Sequence, residues 1–216
     1  MMKYDKIEKI GKTLIQHGKL NDRVYVMKLD TSALPDVLED IEALAKKKKY
    51  TKIFAKVPAT VESDFAKRDY TYEAIVPEMF AGSTEGLFLT KYFSEERMRD
   101  KNADKVKSII KLAQEKANDK TKSRETRSFL LEEASASDVE GICAVYRTVF
   151  ESYPFPVYDP HYIRKTMALN IIYYVVRDRG RVIAVASAET YPDDKNVEMT
   201  DFATLPQYRG RGFSRW

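Results

Sequence analysis

The chain has 216 residues, and its 37 lysine and arginine residues against 33 aspartate and glutamate residues leave a formal net charge of +4. So small a surplus on a highly charged chain gives little reason to expect nucleic-acid binding, and no apolar segment is long enough to span a membrane. The single cysteine excludes an internal disulfide, which fits a reducing compartment, so we predict a cytoplasmic protein with neither nucleic acid nor membrane as a partner.

Residues 1–95 predict a small N-terminal α/β domain. Apolar and β-branched segments predict four strands: Val24–Leu29, Lys52–Val57, Tyr72–Met79 and Gly86–Tyr92. Helical spacing of apolar residues predicts two helices: Leu34–Lys48 and Val61–Lys67. This domain contains neither a phosphate-binding glycine loop nor a catalytic constellation, so we expect it either to be structural or to form a homodimer.

Residues 96–126 predict a helical connector. Apolar residues recur there at helical intervals between charged ones: Met98, Val106, Ile109, Ile110, Ala113 and Ala117. The pattern indicates one long helix that buries a single apolar stripe.

Residues 127–216 predict a second α/β domain. Its expected strands are Arg127–Glu133, Ile171–Arg177, Val182–Thr190 and Asn196–Thr204. Its expected helices are Val139–Phe150, capped by Ser137 and Asp138, and His161–Ala168. The sequence Asp-Arg-Gly-Arg at 178–181 is typical of a hairpin turn between two of the strands.

A glycine loop follows the last predicted strand. Gly210 and Gly212 leave the backbone bare before Phe213, so successive N–H groups and a helix N-terminus can face one anion. Arg209 and Arg211 add two cations beside it. The pattern alone leaves open a basic strand-to-helix turn that binds nothing.

The order of these elements, with Leu-Pro-Gln-Tyr-Arg-Gly-Arg-Gly at 205–212, resembles the GNAT acyl-CoA N-acyltransferases. The resemblance implies a mixed, mainly antiparallel sheet, with acetyl-CoA as co-substrate along the last strand and its loop. The residues that it places at acetyl-CoA are Phe202, Ala203, Thr204, Gln207, Arg209, Gly210, Arg211, Gly212, Phe213 and Ser214.

Three further segments, at 86–93, 149–156 and 199–204, make the whole chain similar to the β-lysine N-acetyltransferase family. That resemblance implies acetyl transfer to the terminal amine of β-lysine, which yields a compatible solute. Two alternatives stay open: a GNAT enzyme for another small amine or a protein lysine, and a non-catalytic acyl-CoA-binding module.

An amine is protonated at neutral pH, so the site must remove a proton before the amine attacks a thioester. The resemblance suggests Glu198 as the base, with Glu189 as the rival, although Glu198 equally fits an exposed strand carboxylate. Tyr153, Tyr158 and Asp201 are candidates for binding the amine substrate. No cluster of histidine, cysteine and carboxylate residues has metal-ligand spacing, so no metal is expected.

A GNAT domain continues beyond this loop into further strands and a helix. The resemblance therefore implies that the chain is incomplete at its C-terminus. We expect these 216 residues alone to bind acetyl-CoA poorly, to acetylate nothing measurably and to self-associate through an uncovered strand.

Overall fold

The computed structural model describes residues 4–118 and 129–215. By its internal contacts the chain divides into two compact units. The first comprises Met1–Ala103 and Asp193–Asn196, and the second comprises Asp104–Pro192 and Val197–Trp216. The three-part division into an N-terminal domain, a connector and a GNAT domain stays a prediction.

A six-stranded mixed sheet forms the frame of the first unit. Its strands are β1 (Lys6–Ile10), β2 (Thr13–Gly18), β3 (Arg23–Lys28), β4 (Lys52–Pro58), β5 (Thr71–Phe80) and β6 (Thr84–Tyr92). They lie in the order β1-β2-β3-β4-β6-β5, with β3 and β4 parallel and the other neighbours antiparallel. The four predicted strands of this unit are confirmed, and the β1–β2 hairpin is an addition.

Helix α1 (Asp36–Lys48) connects β3 to the parallel strand β4 and confirms the prediction of a helix there. Two shorter helices, α2 (Glu62–Ala66) and α3 (Glu95–Met98), complete the unit. The core lies between α1 and the sheet, where Leu38 and Ile41 join Val24 and Ile53 in complete burial. The predicted second helix is shorter than expected by one residue at each end, because Val61 belongs to a 3-10 turn and the helix ends at Ala66.

The second unit contains a four-stranded sheet. Its strands are β7 (Leu131–Glu133), β8 (Ile171–Asp178), β9 (Arg181–Tyr191) and β10 (Asn196–Thr204), in the order β10-β9-β8-β7. The β7–β8 and β8–β9 pairs are antiparallel. Arg179 and Gly180, with φ of 49° and 79°, form the two-residue turn predicted between β8 and β9. The helices α5 (Val139–Val149) and α6 (Pro160–Met167) are confirmed as predicted.

Helix α4 (Ala103–Asn118) lies where the connector helix was predicted, but its apolar stripe is not buried. Val106, Ile109 and Ile110 are 44%, 55% and 51% exposed, so the prediction of a buried stripe is wrong for the described residues. Helical spacing correctly indicated the helix. It does not show which element would pack against the stripe, and within residues 4–118 and 129–215 no element covers it.

A hydrogen-bonded cap leads the chain into α5. Ser135, two residues before the predicted cap, begins a 3-10 turn that runs into the helix. The Asp138 carboxylate accepts from the Ser135 N–H at 2.8 Å and from Arg177 Nη2 at 2.7 Å. Burial alone would raise the pKa of Asp138, but these hydrogen bonds outweigh it and hold that pKa below its ordinary value.

We expect Asp138→Asn to lower the free energy of unfolding at pH 7 by about 1–2 kcal/mol, measured by urea denaturation. A depressed folded pKa stabilises the fold fully above the unfolded pKa, and this contribution is lost as pH falls through the folded value. The difference between variant and wild type should therefore narrow below about pH 4. The control Glu140→Gln removes an exposed ion pair with Arg164 and should cost less than about 0.5 kcal/mol. An Asp138→Asn deficit that stays constant from pH 7 to pH 3 would contradict the charge-based explanation.

Candidate functional site

The loop after β10 is fastened to the β8–β9 hairpin at its root. The Leu205 N–H donates to the Ile183 carbonyl at 3.0 Å, which ties the end of β10 to β9. A 3-10 turn over Pro206–Tyr208 follows, and the Tyr208 hydroxyl donates to the Asp178 carboxylate at 2.7 Å. The glycine-containing part of the loop therefore begins from a fixed position.

Both glycines of the loop have a left-handed backbone. The φ angles are 78° at Gly210 and 83° at Gly212. Apart from each glycine and its chain neighbours, no heavy atom of the described residues lies within 4 Å of the position that a Cβ would take there. The Arg211 guanidinium lies over the rings of Phe129 and Tyr208, at 5.5 Å and 5.3 Å from their centroids. The predicted helical turn after the loop is a 3-10 turn, Phe213–Arg215. Bare backbone, open space and guanidinium groups thus occur together.

A cavity of about 410 Å³ opens beside this loop, bounded by β8, β9 and β10. Nine of the ten residues predicted to contact acetyl-CoA line it: Phe202, Ala203, Thr204, Arg209, Gly210, Arg211, Gly212, Phe213 and Ser214. The tenth, Gln207, is exposed outside the lining. Apolar side chains such as Val176 and Ala184 form the inner wall of the cavity, and Arg209 and Arg211 line it at the loop. A cavity that is apolar along one wall and basic at the loop suits an elongated ligand with an anionic group.

A second polar group lies around Asp201 in β10. Asp201 has a φ of 55°, and its carboxylate accepts hydrogen bonds from three hydroxyl groups. Ser187 Oγ donates to Oδ2 at 2.7 Å, Thr200 Oγ1 donates to Oδ1 at 3.3 Å, and the Tyr153 hydroxyl also donates to Oδ1. The structure therefore brings together two of the three residues predicted to bind the amine, Tyr153 and Asp201.

The Asp201 charge affects three more tyrosines: Tyr146, Tyr162 and Tyr173. Tyr173 lies opposite Ser187 in the β8–β9 register. Burial raises the pKa of Tyr173 to about 12; a hydrogen bond with Thr166 opposes this increase, and the Asp201 charge adds to it. Burial, with the Asp201 charge adding to it, also raises the pKa of Tyr146 and of Tyr162. Their hydroxyls therefore stay protonated at neutral pH.

The Tyr146 hydroxyl is buried and has no hydrogen-bond partner among the described groups. Its ring stacks on Phe150 at 5.5 Å, and Phe150 stacks on Tyr153 at 4.8 Å. The buried Tyr158 donates its hydroxyl to the Phe150 carbonyl at 2.9 Å, which anchors the loop that carries Tyr153. Substrate contact by Tyr158 stays a prediction.

The two glutamates predicted as bases differ in environment. Glu198 is exposed on β10. Glu189 is half-buried on β9 opposite Ile171, and its charge helps to raise the pKa values of Tyr162 and Tyr173, after burial as the main cause. Glu189 is thus the glutamate associated with the tyrosine group.

Sequence reasoning missed Tyr146, Tyr162, Tyr173 and Ser187 as members of this group. One local signal was available, because Ser187 is the sole polar residue between Val182 and Ala188 and is completely buried. A buried hydroxyl within an apolar strand requires a partner, and Asp201 supplies it.

Within residues 4–118 and 129–215, no group of three or more histidine, cysteine or carboxylate side chains is placed to hold a metal ion. Over the same residues no helix has both the length and the apolar character needed to cross a membrane.

The chain shares sequence with known acetyltransferases. The acetyltransferase (GNAT) family matches residues 142–216. The β-lysine N(6)-acetyltransferase of Methanococcus maripaludis is 34% identical over 213 residues, which cover 98% of this chain and 76% of that protein. The N-acetyltransferase YodP of Bacillus subtilis is 32% identical over 93% of this chain and 72% of its own length. The C-terminal domain of an Agrobacterium fabrum protein predicted to be a lysylphosphatidylglycerol synthetase is alike in fold, with a TM-score of 0.50, 12% identity, and coverage of 96% of this chain and 63% of that one.

Proposed function

The chain belongs to the GNAT family of acetyltransferases, and on that premise we propose that it transfers the acetyl group of acetyl-CoA to the terminal amine of β-lysine. The family makes it an acetyl-CoA-dependent N-acetyltransferase. The observation that carries the finer proposal is the 34% identity to a β-lysine N(6)-acetyltransferase over 98% of the chain, far beyond the 142–216 segment that defines the family. The product would be a compatible solute, and a cytoplasmic location and a homodimer stay predictions.

We place the CoA pyrophosphate at the loop of Arg209 to Gly212. The left-handed glycines and the open space beside them support this placement, because a side chain at either position would occupy the volume needed for close approach to backbone N–H groups. The pantetheine arm would follow Ala203 and Thr204 along the apolar wall of the 410 Å³ cavity.

The chemistry consists of one proton removal and one acyl exchange. The substrate ammonium gives a proton to a carboxylate, directly or through water, and the amine nitrogen then attacks the thioester carbonyl carbon. The C–N bond forms, the nitrogen loses its second proton as the C–S bond breaks, and the departing thiolate takes up that proton. We propose Glu198 or Glu189 as the acceptor of the first proton. Glu189 is supported by its proximity to the tyrosine group, and Glu198 by its position on the strand that leads into the loop.

The substrate is tested by measuring CoA release from acetyl-CoA with purified full-length protein. We expect kcat/KM for β-lysine to exceed the values for lysine and spermidine by at least about tenfold, which corresponds to one or two specific contacts in the transition state. Faster turnover of spermidine would favour a different small-amine acceptor. Bound acetyl-CoA that no amine consumes would favour the non-catalytic module.

The loop is tested with Gly210→Ala and Gly212→Val. Each should weaken acetyl-CoA binding by about 2 kcal/mol, roughly thirtyfold in Kd, because the Cβ enters the space beside the backbone N–H groups and disfavours positive φ. Calorimetric titration measures this. Gly82→Ala is the matched control, since Gly82 has a φ of 68° and equally open surroundings in the first unit. Unchanged affinity in both loop variants would refute the phosphate-binding assignment.

The base is tested with Glu198→Gln and Glu189→Gln. The variant that lacks the base should keep its acetyl-CoA affinity and lose roughly a hundredfold in kcat, with partial recovery as rising pH supplies free amine. Glu133→Gln, at an exposed carboxylate of β7, is the control. A normal pH profile and normal kcat in both variants would exclude both glutamates.

A further inference from the structure

Asp201 has an arrangement that the cofactor loop does not explain. An ionised carboxylate offers about four lone-pair positions, and three hydroxyl donors use three of them. Oδ1 accepts from Tyr153 and Thr200, whereas Oδ2 accepts, among the described residues, from Ser187 alone. Within that part of the chain one acceptor position on Oδ2 is therefore open.

The hydroxyl of Tyr146 is a second group whose hydrogen-bonding capacity is not used. It is completely buried in α5, yet its hydroxyl has no partner among the described groups. Leaving a buried hydroxyl unpaired costs free energy, and such a group in a folded protein is typically completed by a ligand or an ordered water. The Tyr146 ring stacks on Phe150, Phe150 stacks on Tyr153, and Tyr153 donates to Asp201, so the two incompletely paired groups lie in one cluster.

We propose that Asp201, Tyr146 and Tyr153 form the binding site for the primary ammonium group of the acceptor, an inference that rests on the proposed acetylation of an amine. An ammonium has three N–H donors and no acceptor. The open position on Asp201 Oδ2 and the hydroxyl oxygens of Tyr146 and Tyr153 supply three acceptors. The tyrosine rings add aromatic faces, which attract cations.

In this site Asp201 binds and positions the amine, and a different carboxylate removes its proton. The hydrogen bonds from Tyr153, Ser187 and Thr200 fix the orientation of the Asp201 carboxylate, which suits a group that holds the ammonium in place. Glu189, whose charge helps to raise the pKa values of Tyr162 and Tyr173, is the candidate for this separate base. The site accordingly selects a cationic amine and rejects an isosteric alcohol.

The test compares Asp201→Asn and Tyr146→Phe with wild type in the full-length protein. Asparagine tolerates the positive φ at position 201, and phenylalanine removes only the unpartnered hydroxyl, so both variants should fold. Calorimetry on protein loaded with CoA measures the Kd of β-lysine and of cadaverine without turnover. Asp193→Asn, an exposed carboxylate in the turn before β10, is the control.

We expect Asp201→Asn to weaken amine binding about thirtyfold and Tyr146→Phe about fivefold, as for hydrogen bonds to a charged group. The Kd of acetyl-CoA should change less than about twofold in both variants, and the steady-state effect should fall on KM of the amine more than on kcat. A role of Tyr146 in packing alone would leave the amine Kd unchanged in Tyr146→Phe.

The outcomes separate this inference from the proposed function. Acetylation of β-lysine by wild type with an unaltered amine KM in both variants would overturn the site and leave the function standing. Binding of cadaverine but not β-lysine, lost in Asp201→Asn, would support the site and overturn the β-lysine assignment. If wild type loaded with CoA binds neither amine, both fail.

Discussion

The left-handed backbone of Asp201 within β10 is the constraint on which the polar group of the second unit depends. A regular strand sends successive side chains to opposite faces, and a residue with a φ of 55° interrupts that alternation. Such a conformation costs about 1–2 kcal/mol in a residue with a Cβ, and aspartate is among the side chains that adopt it most readily. Hydrogen bonds from the neighbouring hydroxyls offset this cost, so the aspartate side chain, its left-handed backbone and its three hydrogen-bond donors favour the same conformation.

The β8–β9 register extends the same arrangement across the sheet. It sets Tyr173 opposite Ser187, and Ser187 in turn donates to Asp201 on the far side of β9. A shift of one residue in this register would move Tyr173 to the other face of the sheet. Ala188 beside Ser187 and the apolar residues 182–185 of β9 are buried and oppose such a shift. Packing of ordinary core residues therefore determines where the polar side chains meet.

Local sequence patterns correctly predicted several of the secondary-structure elements. The strand Asn196–Thr204 and the two-residue turn after Asp178 were correct, because each depends on neighbouring residues. The β1–β2 hairpin was missed because β2 buries Thr13, Gln16 and His17, which obscures the apolar alternation.

The tyrosine group was harder to predict because it is assembled by tertiary contacts. Tyr153 and Asp201 are 48 residues apart, and no spacing rule connects them. Tyr146 has the helical position of an ordinary core residue, so only its unpaired hydroxyl distinguishes it, and that is a property of the folded chain.

The two-residue turn between β8 and β9 also has a consequence for the order in which the second unit folds. A hairpin closed by Arg179 and Gly180 can form within microseconds. In contrast, β7 and β8 are separated in sequence by α5 and α6, so their pairing requires closure of a much longer loop. Pairing of distant segments is slowed by the entropy of loop closure. Tyr173 and Ser187 therefore come together in the earliest element, and the groups carried by α5 pack onto it afterwards.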